Sequence, residues 1–251
     1  MLTRFCLPVL ILFSSQHAFA QQYTNLLSND LNHWMKPNGD AVTEGWQIEP
    51  GAVVHLSGKG GNIVTREQFG DFELWFEFRI SPQGNSGIKY RVKDYNKSLL
   101  GLEYQVLDDA GFPKLSRSHA TASLYDLVPP IPAETRQHSL QEFNVGKIRV
   151  EGNQTRHWIN GQLTIDEQLS GPHWHAFVAG SKFKDKEAFG ENTLGRLMLT
   201  DHNSEVWFKN MFIRRLGSAT CKPVCSSQVR CLNLDCSPTV AGNRGCVVDN
   251  H

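Results

Sequence analysis

Ten residues, Asp71-Phe-Glu-Leu-Trp-Phe-Glu-Phe-Arg-Ile80, constrain this chain more than any other stretch. Phe72, Leu74, Phe76, Phe78 and Ile80 recur every second position, and Glu73, Trp75, Glu77 and Arg79 fill the gaps. That two-residue period puts the first set on one face of a strand and the second on the other, whereas a helix would scatter both sets around its axis. The strand therefore lies on a core with its second face half wet. Similar segments precede it at Gly45–Gly51 and Ala52–Leu56 and follow it at Ser86–Val92, Leu102–Leu107, Phe143–Val150, Thr155–Ile159, Gln162–Ile165, Gly195–Thr200 and Val206–Arg214. Asn160-Gly161 joins two of them as a two-residue hairpin turn, because both residues tolerate positive φ. A series of strands without interleaved amphipathic helices predicts two antiparallel sheets packed face to face, an all-β jelly-roll or related sandwich.

The ends of the chain differ from its middle. Residues 1–20 carry Arg4, an apolar run from Leu7 to Phe13 and then Ala18-Phe19-Ala20. These are the charged, apolar and small-residue parts of a signal peptide cleaved after Ala20. Cys6 precedes the apolar run and so cannot become an acylated first residue. The expectation is an exported, periplasmic or secreted protein without a membrane anchor. After residue 216 the composition shifts, and Cys221, Cys225, Cys231, Cys236 and Cys246 crowd the segment 217–251. In an oxidising compartment this reads as a short disulfide-stapled C-terminal extension, with one thiol left over. The spacings do not repeat a paired C-x2-C knuckle, which disfavours a structural metal there. The sandwich domain is thus expected over residues 21–216.

Twenty-five basic residues balance twenty-five acidic ones, so no extended phosphate-binding surface is expected and nucleic acid is not a predicted partner. Two long stretches, Ala110–Gln141 and Gly171–Asn192, break the strand pattern and read as loops that are either functional or disordered. The second carries His173, Trp174 and His175, an exposed loop or a sugar-stacking or metal corner.

Leu100-Gly-Leu-Glu-Tyr-Gln-Val-Leu-Asp-Asp109 alternates like a strand, yet Glu103 and Gln105 occupy one of its faces. Gly87, Lys89 and Arg91 are expected to share one face of the strand before it. An acid, an amide, an amine and a guanidinium are costly in a core and sensible as the floor of a polar groove. The other reading is a buried ion pair of Glu103 with Lys89 or Arg91.

Asn85-Ser-Gly-Ile-Lys-Tyr-Arg91, Leu100–Asp109, Ala122-Ser-Leu-Tyr-Asp-Leu127, His157-Trp-Ile-Asn-Gly161, Leu199-Thr-Asp-His202 and Val206-Trp-Phe-Lys-Asn210 occur in an order that resembles the 3-keto-disaccharide hydrolase family. The resemblance runs from about Tyr23 to Leu216. It implies a concanavalin-A-like jelly roll and cleavage of glycosides whose C3 hydroxyl is oxidised to a ketone, as a hydrolase or a 1,2-lyase. It also implies a separate sugar 3-dehydrogenase upstream, which makes the ketone.

A retaining glycosidase needs two carboxylates about 5 Å apart. Here the residue two beyond Glu103 is an amide. A 3-ketone offers another route, because it acidifies the C2 proton and lets a single base start an elimination. Glu103, Asp108, His119 and His157 are the candidate bases and acids. Lys89 and Arg91 are candidates to hold the developing enolate charge, with Gln105, Lys182, Asp201 and His202 as further sugar contacts. Asp108 has the opposite parity from Glu103 and reads equally as a turn cap, and His157 equally as a structural histidine. No cofactor is required, although a divalent cation polarising the ketone is compatible with the carboxylate and histidine set. The competing function is a lectin-like module that binds sugar without cleaving it.

Overall fold

The computed structural model describes residues 23–28, 30–132 and 137–217; the leader and the cysteine-rich extension predicted above lie outside the described residues. Among the described residues thirteen strands run in chain order. They are β1 (Thr24–Asn25), β2 (Trp34–Met35), β3 (Trp46–Glu49), β4 (Val53–Leu56), β5 (Ile63–Thr65), β6 (Phe72–Ile80) and β7 (Asn85–Asp94). After them come β8 (Leu99–Leu107), β9 (Asn144–Glu151), β10 (Gln154–Ile159), β11 (Gln162–Gln168), β12 (Arg196–Leu199) and β13 (Val206–Arg215). The larger sheet runs β11-β10-β9-β6-β13-β4-β3, with β1 added beside β13, and the smaller runs β2-β5-β12-β7-β8. Every pairing is antiparallel, so the expected sandwich is the observed fold.

Phe72, Leu74, Phe76, Phe78 and Ile80 all lie buried between the sheets, as their alternation requires. Across the gap they meet Ile88, Tyr90, Leu102, Tyr104 and Val106 of the smaller sheet. The Phe76 and Tyr104 rings meet edge to face, 5.1 Å between centroids, the arrangement favoured by their quadrupoles. On the outer side of the larger sheet, Trp75 and Trp158 flank the Lys147 ammonium, which lies 4.8 Å and 3.8 Å from their rings. The hairpin forms as expected, with Asn160 and Gly161 both at positive φ.

The second long stretch does not form a loop throughout. Gly171–Ala179 is a helix, α1, in which Trp174 is buried and its indole N–H donates to the Phe189 carbonyl at 3.0 Å. Trp174, Phe177 and Val178 stand at i, i+3 and i+4 and pack on the core, a helical stripe carried by three apolar residues only. The first long stretch has no regular strand, yet it returns alongside β8. Ala122 N–H donates to Gln105 O, and Tyr125 N–H to Glu103 O at 3.0 Å. This return covers the edge that β8 would otherwise expose, and it brings residues 118–126 over the smaller sheet.

Candidate active site

β7 and β8 supply the floor. Lys89 is paired opposite Glu103, and Gly87 opposite Gln105, all on the outer face of the smaller sheet. The Lys89 Nζ lies 3.7 Å from Glu103 Oε2. Glu103 is 4% exposed, and Gln105 donates from Nε2 to Asn85 Oδ1 at 3.0 Å. A carboxylate this deep is tolerable because a cation faces it and because Gly87 leaves room for it. A Cβ at position 87 would overlap Glu103 Oε1 and stand 3.0 Å from its Cδ. Gly87→Ala is therefore expected to displace the carboxylate and lower kcat by about 10- to 100-fold, with less than about 2 kcal/mol lost in stability. Turnover and urea unfolding of the same preparation check both halves.

Three walls stand around this floor. The first is the turn after β12, where Asp201 accepts from Gly61 N–H and Asn203 N–H, each at 2.7 Å. Asp201 is thereby occupied as a turn anchor, and it presents His202. His202 is exposed, yet the protein around it desolvates the ring enough to lower its pKa. The Glu103 carboxylate works against that shift, and Lys89 and Lys182 add to it. The second wall is the return stretch. His119 Nε2 lies 2.8 Å from Asp126 Oδ1, and the imidazole packs on the Tyr125 ring at 4.7 Å. The third is the turn after α1, where Lys182 places its ammonium 4.1 Å from the centre of the Tyr125 ring and donates its backbone N–H to Asp126 Oδ2 at 2.8 Å.

Burial would raise the Asp126 pKa, but the hydrogen bonds from His119 and from the Lys182 N–H outweigh it and hold the carboxyl below its usual value. Burial, with the Glu103 and Asp126 carboxylates nearby, raises the Tyr125 phenol. Beside His119, a depression of about 380 Å³ opens among residues 111–116.

Lys89, Glu103, Lys182 and His202 lie within electrostatic reach of one another, His119 stands beside them through Asp126 and Tyr125, and Gln105 lies next along the Glu103 strand. Arg91 does not join them. A bulge shifts the β7–β8 register between Tyr90 and Lys93, and Arg91 sits in it with φ of 51°. Its parity is broken, and its buried guanidinium goes instead to the Gly152 carbonyl and to Asp71, 4.0 Å away. His157 does not join them either. Its ring is fully buried between the sheets, with Nε2 2.9 Å from the Tyr90 hydroxyl and Nδ1 3.4 Å from Ala122 O. Asp108 is a turn anchor, accepting from Gln83 N–H at 2.8 Å. His173 and His175 pair with Glu167 and Glu191 at the exposed side of α1. Tyr125 and Asp126 were missed by the sequence reading, although the stretch Ala122–Leu127 carries them. Among the described residues no group of three or more His, Cys, Asp or Glu side chains is arranged to hold a metal ion.

The pattern of the 3-keto-alpha-glucoside-1,2-lyase-like domain matches residues 22–214. The chain belongs to this family. The 3-keto-disaccharide hydrolase of Bacteroides thetaiotaomicron is 31% identical over 219 residues, covering 74% of this chain and 75% of that protein. A solved structure from Parabacteroides distasonis, provisionally named a glycosyl hydrolase, superposes with a TM-score of 0.70 at 28% identity over 79% of this chain and 96% of that one. A second from the same organism, similarly named, gives a TM-score of 0.61 at 19% identity, over 78% of this chain and all of that one, and shows the shared fold. The family resemblance read from the motifs is therefore confirmed, and with it a carbohydrate-active protein built on this sandwich.

Proposed function

We propose that this chain is an enzyme that cleaves the glycosidic bond of 3-keto-glucosides or 3-keto-disaccharides by elimination. The observation that carries the reading is the Glu103–Lys89 pair over Gly87, a single deep carboxylate with an amine beside it and an amide, Gln105, two residues on. One base and one cation suit enolate chemistry better than a two-carboxylate displacement. Glu103 takes the C2 proton, and the C–H electron pair forms the enolate whose charge gathers on the C3 oxygen beside Lys89. Collapse of the enolate restores the ketone, forms a C1–C2 double bond and expels the C1 oxygen, which needs a proton. Adding water to the double bond completes a net hydrolysis. His202 and Lys182, at the rim, are placed to hold sugar hydroxyls.

The substrate must come from a reaction that oxidises a sugar C3 hydroxyl, which implies an upstream sugar 3-dehydrogenase. The signal-peptide pattern read in residues 1–20 supports action outside the cytoplasm. Among the described residues no helix is long and apolar enough to cross a membrane.

The test uses a 3-keto-glucoside and its unoxidised parent in D2O, followed by NMR. Cleavage of the keto-sugar alone, with deuterium entering C2 or with an enone intermediate, is expected. Equal cleavage of the parent would overturn the elimination, and binding of sugar without cleavage of either would favour the lectin-like reading.

A further inference from the structure

We propose that Asp126 is a positioning residue that holds His119 with a proton on Nε2, so that Nδ1 is the nitrogen that delivers a proton to the departing oxygen. This rests on the elimination proposed above. Asp126 occupies a left-handed backbone conformation, φ 61°, and its own N–H donates to Ser118 O at 2.9 Å, closing the turn that faces His119. Its two carboxylate oxygens serve two different donors, His119 Nε2 and the Lys182 backbone N–H, both at 2.8 Å. A carboxylate only accepts, so the nitrogen facing it carries the proton. His119 Nδ1 has no hydrogen-bond partner among the described residues, and the ring borders the depression formed by residues 111–116. Tyr125, its ring 4.7 Å away and tilted by 33°, packs against the imidazole and limits its rotation.

In the elimination the C1–O bond breaks with its electron pair on the aglycone oxygen. Imidazolium His119 gives that oxygen the Nδ1 proton and is left neutral, its remaining proton on Nε2 and hydrogen-bonded to the Asp126 carboxylate. Water returns the lost proton before the next cycle. The same carboxylate stabilises the imidazolium that must form first, the role of the third group in a hydrolase triad.

Asp126→Asn tests this with little change of shape, since Asn also tolerates a left-handed backbone. The amide offers one acceptor and one donor in place of two acceptors. The Lys182 N–H is a fixed donor, so the amide oxygen turns to it and the NH2 faces His119 Nε2. The ring must then accept there, which puts the neutral ring's proton on Nδ1 and opposes the imidazolium.

The expected result is a fall in kcat of about 10²- to 10³-fold on a 3-keto alkyl glucoside with KM changed less than about threefold. On a 3-keto nitrophenyl glucoside, whose leaving group needs no proton, the variant should stay within about threefold of wild type. His119→Ala should behave alike, and combining the two substitutions should cost nothing further. Nitrogen-15 NMR of the wild type should show the neutral His119 ring protonated on Nε2.

A wild-type ring protonated on Nδ1, an equal loss on both substrates, or fully additive losses would overturn the proposal. Should D126N fail to fold, the wild-type NMR measurement and H119A on the two substrates still decide. If wild type turns over no 3-keto-glucoside, the reaction reading fails by itself, and the NMR still tests the His119–Asp126 pair.

Discussion

Glu103→Gln is expected to lower kcat on a 3-keto-glucoside by about 10²- to 10⁴-fold, the span typical of losing a positioned general base, with the sandwich intact. Gln has nearly the same shape, so it fits over Gly87 where the carboxylate now lies. What it lacks is the lone-pair basicity to accept the C2 proton. KM should change little if the sugar is held by the rim groups, and C2 deuteration in D2O should disappear along with cleavage. The substitution also leaves Lys89 without its partner at 3.7 Å, and with the ammonium only 15% exposed the cost in stability is about 1 to 3 kcal/mol, which urea unfolding separates from the loss of turnover. Retained C2 exchange in this variant would assign the base to another group.

The second large effect concerns stability in acid. Burial pushes the His157 pKa from its ordinary value down to about 3, against the opposing pull of the Ala122 and Ser123 backbone. Above pH 6.5 the ring is neutral folded and unfolded, and its titration contributes nothing to the pH dependence. Between pH 6.5 and about 3 the unfolded chain binds a proton that the folded chain refuses, so stability falls as pH falls. The limiting slope is about 1.4 kcal/mol per pH unit from this one group. The fully satisfied arrangement has Nδ1–H facing Ala122 O and Nε2 accepting from Tyr90, whose hydroxyl also meets Thr155 Oγ1 at 2.7 Å. His157→Gln retains a donor and an acceptor but cannot titrate. It should be less stable near neutrality by about 1 to 3 kcal/mol and show a flatter acid limb in urea midpoints taken across pH. Identical limbs in the two proteins would remove His157 from the account.

Most of the sandwich was legible because strand formation here is a local pattern. Alternation of Phe72 to Ile80 specifies a buried face whatever the rest of the chain does, and Asn160-Gly161 specifies a turn by its own φ preferences. The shorter strands β1, β2 and β5 were not legible, since two or three residues hold no period and exist only through their partners. Helix α1 sits between these cases: its stripe was present in the sequence, but three apolar residues among histidines and glycines are a weak signal next to a strand-rich chain.

The site divides along the same line. Lys89 and Glu103 could be placed on one face by parity, and the pairing of β7 with β8 set them opposite each other. Parity then failed at Arg91, where one bulged residue turned the guanidinium from the groove to the Gly152 carbonyl and Asp71. His157 had the right chemistry for an acid or base, but its fate depended on which face of β10 meets the opposite sheet, where Tyr90 waits. Asp126 has no significance in isolation. It becomes a candidate only because the return stretch beside β8 and the turn after α1 bring His119 and Lys182 to its two oxygens. The sequence by itself determined the longer strands, the buried faces where their alternation is unbroken, and the family, because these follow from backbone period and local residue order. The tertiary structure alone decided which polar side chains share a solvent-facing groove and which are sealed in the core, because desolvation and hydrogen bonding are set by partners far away in the chain.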